Sequence, residues 1–151
     1  MNYVLIYCVV LGIFLQSAYA RYTSCGGGKL ITVAVDSCPD LKNDSTAPCE
    51  LKRGTNVTMS VTFSSVKDSK KLNAVVHGII AGVPVPFPFD HPDGCDKSGI
   101  TCPISTGQTY TYKAVLAISS SYPSIECSVK WELQDDNHDD EFCLVILVKI
   151  T

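Results

Sequence analysis

The chain has 151 residues, a formal net charge of −3, and only 18% charged residues against 46% hydrophobic ones. Mild acidity with dispersed lysines excludes an electrostatic nucleic-acid binder. The first twenty residues read as a secretory signal peptide: the apolar run Val4–Leu15 is too short to span a bilayer, and Ala18-Tyr-Ala20 is a small-residue cleavage signature. Residues 21–151 then form one domain, long enough to bury a core of its own.

Seven of the eight cysteines follow that segment, at positions 25, 38, 49, 95, 102, 127 and 143. An odd count in a secreted chain leaves one thiol over. Cys127 is the odd one by environment, since it shares a strand face with Ile125, Val129 and Trp131 and there behaves as a small apolar residue. The other six flank turns or chain ends. They allow about 15 pairings, and spacing does not choose among them, although short loops favour joining 38 to 49 and 95 to 102. No zinc-ligand spacing is present.

Along the chain the hydrophobic period is two. A short alternation at Ile31, Val33 and Val35 comes first. Val57, Met59, Val61 and Phe63 alternate with Thr58, Ser60, Thr62 and Ser64. Ala74–Ala81 is an apolar run of strand length, and so is Phe142–Val148. Tyr110, Tyr112, Ala114, Leu116 and Ile118 share one face, as do Ile125, Cys127, Val129, Trp131 and Leu133. Gly, Pro and Asp clusters separate these segments, and no helix-length window carries a 3.6-residue period. The pattern predicts an all-β fold, a two-sheet antiparallel sandwich of six or seven strands.

One segment breaks the alternation. Gly82-Val-Pro-Val-Pro-Phe-Pro-Phe89 loses three backbone donors to proline and so is no central strand, yet Val83, Val85, Phe87 and Phe89 are apolar. Extended, apolar and unable to pair fully, it reads as the lining of a cavity rim. Patterning alone does not distinguish a filled interior from one splayed open for a ligand.

Other polar features have plain readings. His77 lies in a strand and reads as a hydrogen-bonded structural histidine. His91 falls near the presumed rim. Asp135, Asp136, Asp139, Asp140 and Glu141 lack calcium-loop spacing and read as a solvated hairpin turn, so no metal and no cofactor is expected. Asn43-Asp-Ser45 and Asn56-Val-Thr58 are glycan acceptor sites in a secreted chain. No Gly-x-Ser-x-Gly elbow or Ser/His/Asp constellation is present, so an enzyme is not expected.

The strings Val75-Val-His-Gly78, Gly82-Val-Pro-Val-Pro-Phe-Pro88, Pro92-Asp-Gly-Cys95, Ser98-Gly-Ile-Thr-Cys-Pro-Ile104, Tyr122-Pro-Ser-Ile125 and Trp131-Glu-Leu-Gln-Asp-Asp136 together resemble the Niemann–Pick type C2 proteins of the ML lipid-recognition family. The likeness runs from about Cys25 to Ile150. It implies an immunoglobulin-like sandwich with a hydrophobic lipid tunnel, and disulfides Cys25–Cys143, Cys38–Cys49 and Cys95–Cys102. It also implies a sterol entering tail first, past a mouth that maps to Phe87, Ile118 and Tyr122. Deeper lining maps to Leu51, Val57, Met59, Val61, Val85, Leu116, Cys127, Val129 and Trp131. Three positions depart from the family pattern. Leu144 stands where a tryptophan is usual, Cys127 where an aliphatic residue is usual, and Ala117, in the mouth strand, where a proline is usual. The resemblance thus implies a secreted or lysosomal, monomeric sterol carrier, handing its cargo to a membrane surface or to a membrane-embedded Niemann–Pick type C transporter. The departures leave room for fatty acids or hydrophobic semiochemicals as cargo, and innate-immune lipid recognition is a further possibility within the family.

Overall fold

The computed structural model describes residues 22–39, 41 and 48–151; the predicted signal segment and Asn43 lie outside them. Among the described residues there are nine strands and no helix: β1 (Tyr22–Gly27), β2 (Leu30–Val35), β3 (Cys49–Leu51), β4 (Thr55–Ser64), β5 (Asn73–Ile80), β6 (Val83–Pro86), β7 (Thr109–Ile118), β8 (Glu126–Gln134) and β9 (Asp140–Ile150). They form two sheets. The larger runs β1-β9-β8-β5-β6, with β3 added parallel to β9; the smaller runs β2-β4-β7. All other pairings are antiparallel, which is the predicted sandwich.

The period-two pattern explains which face is buried. In the smaller sheet Val57 lies opposite Leu116, Met59 opposite Ala114 and Val61 opposite Tyr112, so the apolar halves of β4 and β7 point the same way. Val33 and Val35 of β2 continue that face beside Val61 and Met59. Facing them across the gap are Trp131 and Leu133 of β8 with Phe142, Leu144, Ile146, Val148 and Ile150 of β9.

The two ends of this interior are filled differently. At one end Phe63, Tyr112, Phe142 and Trp131 interlock, with Phe63 and Phe142 centroids 5.1 Å apart across the sheets and Tyr112 and Phe142 5.8 Å apart. Large rings fill the space between sheets there. Toward the other end the inward positions are Gly78, Val129, Cys127, Ile118 and Ile150, which are smaller.

The filled end is also locked by polar contacts, and here the predicted solvated acidic turn is corrected. Glu141 is fully buried. Its carboxylate accepts hydrogen bonds from Ser65 Oγ (3.0 Å), Val66 N (2.9 Å) and Lys67 N (3.2 Å), in the connection that carries the chain from β4 to β5. Asp135 is buried too, and its Oδ1 accepts from the backbone of Asn137 and Asp139. Asp136 accepts from Lys70 N, and Asp139 pairs with Lys67 Nζ. The carboxylates are structural because the crossover connection, and for Asp135 the β8–β9 turn itself, present backbone donors that need acceptors.

The disulfides are Cys25–Cys143, joining β1 to β9, Cys38–Cys49, tying the end of β2 to β3, and Cys95–Cys102, closing a loop between β6 and β7. Among the described residues Cys127 is the free cysteine.

Candidate functional site

Two cavities lie between the sheets on the loosely filled side. The inner one, about 30 Å³, is walled by Val35, Cys49, Leu51, Val57, Met59, Leu116, Val129, Trp131, Leu144, Ile146 and Val148. The outer one, about 200 Å³, runs from there to the surface between the β5–β6 hairpin and the β7–β8 connection. Leu51, Leu116, Val129 and Val148 wall both, so these four side chains form a neck between them.

The proline segment supplies one lip of the mouth. Val83–Pro86 pairs with β5 as an edge strand, where the missing donors of Pro84 and Pro86 do no harm. Phe87 is then fixed by its own amide, which donates to Val76 O at 2.9 Å. The other lip is Tyr122, whose backbone is held by its N–H to Ser119 O (3.2 Å) and by Arg53 donating to its carbonyl (3.3 Å). The Phe87 and Tyr122 rings meet edge to face with centroids 5.5 Å apart. Gly78 forms part of the floor, and a Cβ there would meet nothing within 4 Å. The absent side chain is part of the cavity's volume.

Most residues expected at the site gather here. Phe87, Ile118, Tyr122 and Val85 line the outer cavity, Leu51, Leu116 and Val129 the neck, and Val57, Met59 and Trp131 the inner cavity. Cys127, expected deep, lines the outer cavity instead, where burial pushes its thiol pKa up. Val61 touches neither cavity; it is fully buried in solid packing next to Tyr112. Ala117 is a correction: it alternates with Leu116 and Ile118 and so faces outward, opposite Asn56, in a shallow surface groove. Asn56 is exposed in that same groove.

Phe89 and His91 turn away from the mouth. Phe89 meets Trp131 edge to face with centroids 5.0 Å apart, and Phe89 and His91 line a separate polar-rimmed groove with Asp93, Asp96 and Lys113. His77 faces out from β5, with Nδ1 4.0 Å from Glu132, rather than making a structural hydrogen bond. Sequence reasoning missed Gly78, Val35, Cys49, Ile80, Pro123, Ile125, Ile146, Val148 and Ile150. A glycine inside an apolar strand run was the available signal for the first; the continuous apolar run of β9 hid which of its residues face inward.

Among the described residues no carboxylate, imidazole, lysine or arginine lines either cavity, and the outer lining's side chains that carry a polar atom are those of Tyr122 and Cys127. Such a site holds an apolar body by contact area and leaves a polar end near the mouth. The fold and the site define a β-sandwich built around an internal apolar cavity.

The family model described as ML domain matches residues 21–150, and the chain belongs to that family. It is 43% identical over 150 residues, covering 93% of this chain and 96% of the relative, to the NPC intracellular cholesterol transporter 2 of Danio rerio. It is 37% identical over 152 residues, covering 99% of each, to the NPC intracellular cholesterol transporter 2 homolog a of Drosophila melanogaster. The crystal structure of a Niemann-Pick type C2 protein from Japanese carpenter ant superposes with a TM-score of 0.79 at 26% identity, over 86% of this chain and 98% of that one.

Proposed function

We propose that this protein is a secreted, soluble lipid carrier that shelters a sterol between its sheets and gives it up at a membrane or to a membrane-embedded partner. The observation that carries this reading is the almost entirely apolar, two-part cavity opening between Phe87 and Tyr122. Its relatives named as cholesterol transporters, in vertebrates and in an insect, point the same way.

The energetics suit a carrier. Withdrawing roughly 400–500 Å² of apolar ligand surface from water is worth about 10–12 kcal/mol gross. Association and ordering take back several kcal/mol, leaving micromolar to nanomolar affinity. A full-length sterol enters by displacing the neck side chains Leu51, Leu116, Val129 and Val148, which joins the two cavities into one tunnel. Beside the mouth, Ile80, Val83 and Val85 are 43%, 59% and 44% exposed, an apolar lip suited to a lipid surface or to an apolar partner. Exposed Asn56 leaves its glycan acceptor site open to modification, and a glycan there would sit outside the cavity.

The closed neck favours a second reading. An outer cavity of about 200 Å³ on its own suits a shorter ligand, such as a fatty acid or a hydrophobic semiochemical. Titrating delipidated protein with a fluorescent sterol, with fatty acids as competitors, separates the two. Saturable sterol binding that fatty acids fail to displace supports the first; binding of fatty acids alone overturns it.

A further inference from the structure

On the outer face of the larger sheet, on the opposite side from the cavities, β8 and β9 bring two carboxylates together. Glu132 lies opposite Cys143 in the ladder, and Gln134 opposite Asp140. One oxygen of Glu132, one of Asp140 and the Cys143 sulfur all lie within 4.8 Å of one another. That sulfur is bonded to Cys25, so it brings no thiolate to a cation. Glu132 is 9% exposed; one of its oxygens forms an ion pair with Lys130 Nζ at 3.0 Å, and the other lies 4.0 Å from His77 Nδ1. Asp140 Oδ1 is buried with no hydrogen-bond partner among the described residues. From β1 the neighbour is Gly26, where a Cβ would come within 3.4 Å of Asp140 Oδ2, so that strand adds no donor side chain.

Two ionised carboxylates this close repel, and an orphaned buried oxygen is costly when charged. A single proton removes both penalties, because protonated Asp140 donates to Glu132 while Glu132 keeps its charge for Lys130. We infer that Glu132 and Asp140 form a proton-sharing pair that straps β8 to β9 more firmly in acid than at neutral pH. The groups facing the pair are Lys130 and Gln134 on β8 and His77 on β5. Lys130 and Gln134 favour the ionised form of Asp140, and they are outweighed by burial first and by the Glu132 charge second, which together raise its carboxyl pKa. A carboxyl raised in the folded state contributes stability that is complete below its unfolded pKa and is lost as pH rises through the folded one. The strap is therefore strongest near pH 4 and weakest at pH 7 (taking about 3.9 for the unfolded aspartate).

Thermal unfolding of the full disulfide-bonded protein at about pH 4 and pH 7 tests this, with D140N, E132Q and H77Q beside the wild type. An amide at position 140 removes the repulsion and donates to Glu132 at any pH. D140N should raise Tm at pH 7 by about 2–4 °C over the wild type, and the gain should vanish near pH 4. E132Q should show the same convergence, whereas H77Q should leave the wild-type pH dependence in place. A D140N difference equal at both pH values, or loss of the dependence in H77Q, overturns the inference. So does a wild-type Asp140 carboxyl that titrates, by carbon-13 NMR, like an ordinary surface aspartate; that measurement holds even where a variant fails to fold.

Discussion

Phe87 and Tyr122 meet edge to face at 5.5 Å although one lies in the proline segment and the other in the β7–β8 connection. Each ring covers the entrance to the outer cavity while its backbone is anchored elsewhere, Phe87 to β5 and Tyr122 to Arg53. Removing one ring therefore alters the mouth and not the framework. Phe87→Ala should weaken lipid binding about tenfold, near 1.4 kcal/mol, with Tm changed by no more than a few degrees. Fluorescent-lipid titration alongside thermal unfolding checks it. Binding that tracks only the folded fraction would place Phe87 in the core.

Gly78 offers the complementary test from the floor. A Cβ there meets open space, and its backbone lies in a strand, so a β-branched side chain costs little. Gly78→Val should fold normally and lose lipid uptake by at least about tenfold, because its methyl groups occupy ligand volume. Unimpaired uptake by the folded variant would show that cargo bypasses the outer cavity.

Cys127 reports occupancy. Burial raises its pKa, which lowers the thiolate fraction at neutral pH, and the thiolate is the reactive form. Native protein should show one slowly alkylated thiol near pH 7.5, faster as pH rises, slower again when the cavity holds lipid, and fast after denaturation. Counting labelled thiols by mass spectrometry settles the outcome; rapid labelling that lipid leaves unchanged would move Cys127 out of the cavity.

Glu141 holds the closed end. Glu141→Ala leaves the amides of Val66 and Lys67 without their acceptor, takes from Ser65 Oγ one of its two, and empties a fully buried carboxylate site. Urea unfolding should show a loss of at least about 3 kcal/mol. A loss below 1 kcal/mol would mean water replaces the carboxylate freely.

Asp68 should respond to acid with the opposite sign to Asp140. Thr106 donates its amide (2.7 Å) and hydroxyl (3.0 Å) to Asp68 Oδ1, and these bonds lower the carboxyl pKa in the folded state. A lowered folded pKa gives stability that is present above the unfolded pKa and lost as pH falls through the folded one. The Tm advantage of wild type over Asp68→Asn should hold above about pH 5 and close as pH falls toward 2. A difference that widens in acid would reverse the assignment.

The strands and their buried faces were legible because a half-buried strand repeats every two residues, and β4, β7 and β8 keep that repeat for nine or ten residues. Prolines at alternate positions marked the segment at the mouth, since a residue without an N–H is confined to an edge. The same repeat puts Ala117 on the outward face, one position from Leu116 and Ile118, against its expected place at the mouth. Two things were settled only in three dimensions. Glu141 proved buried, because the donors it satisfies come from a loop some seventy residues away, and Asp135 because it closes its own turn on the amides of Asn137 and Asp139. The cavity itself is a difference between packing at two ends of one sandwich, aromatic rings at one and Gly78 with small aliphatic residues at the other. Periodicity assigns a residue to a face, but how much space remains between two faces depends on which side chains meet across it, and that is decided by register and sheet packing.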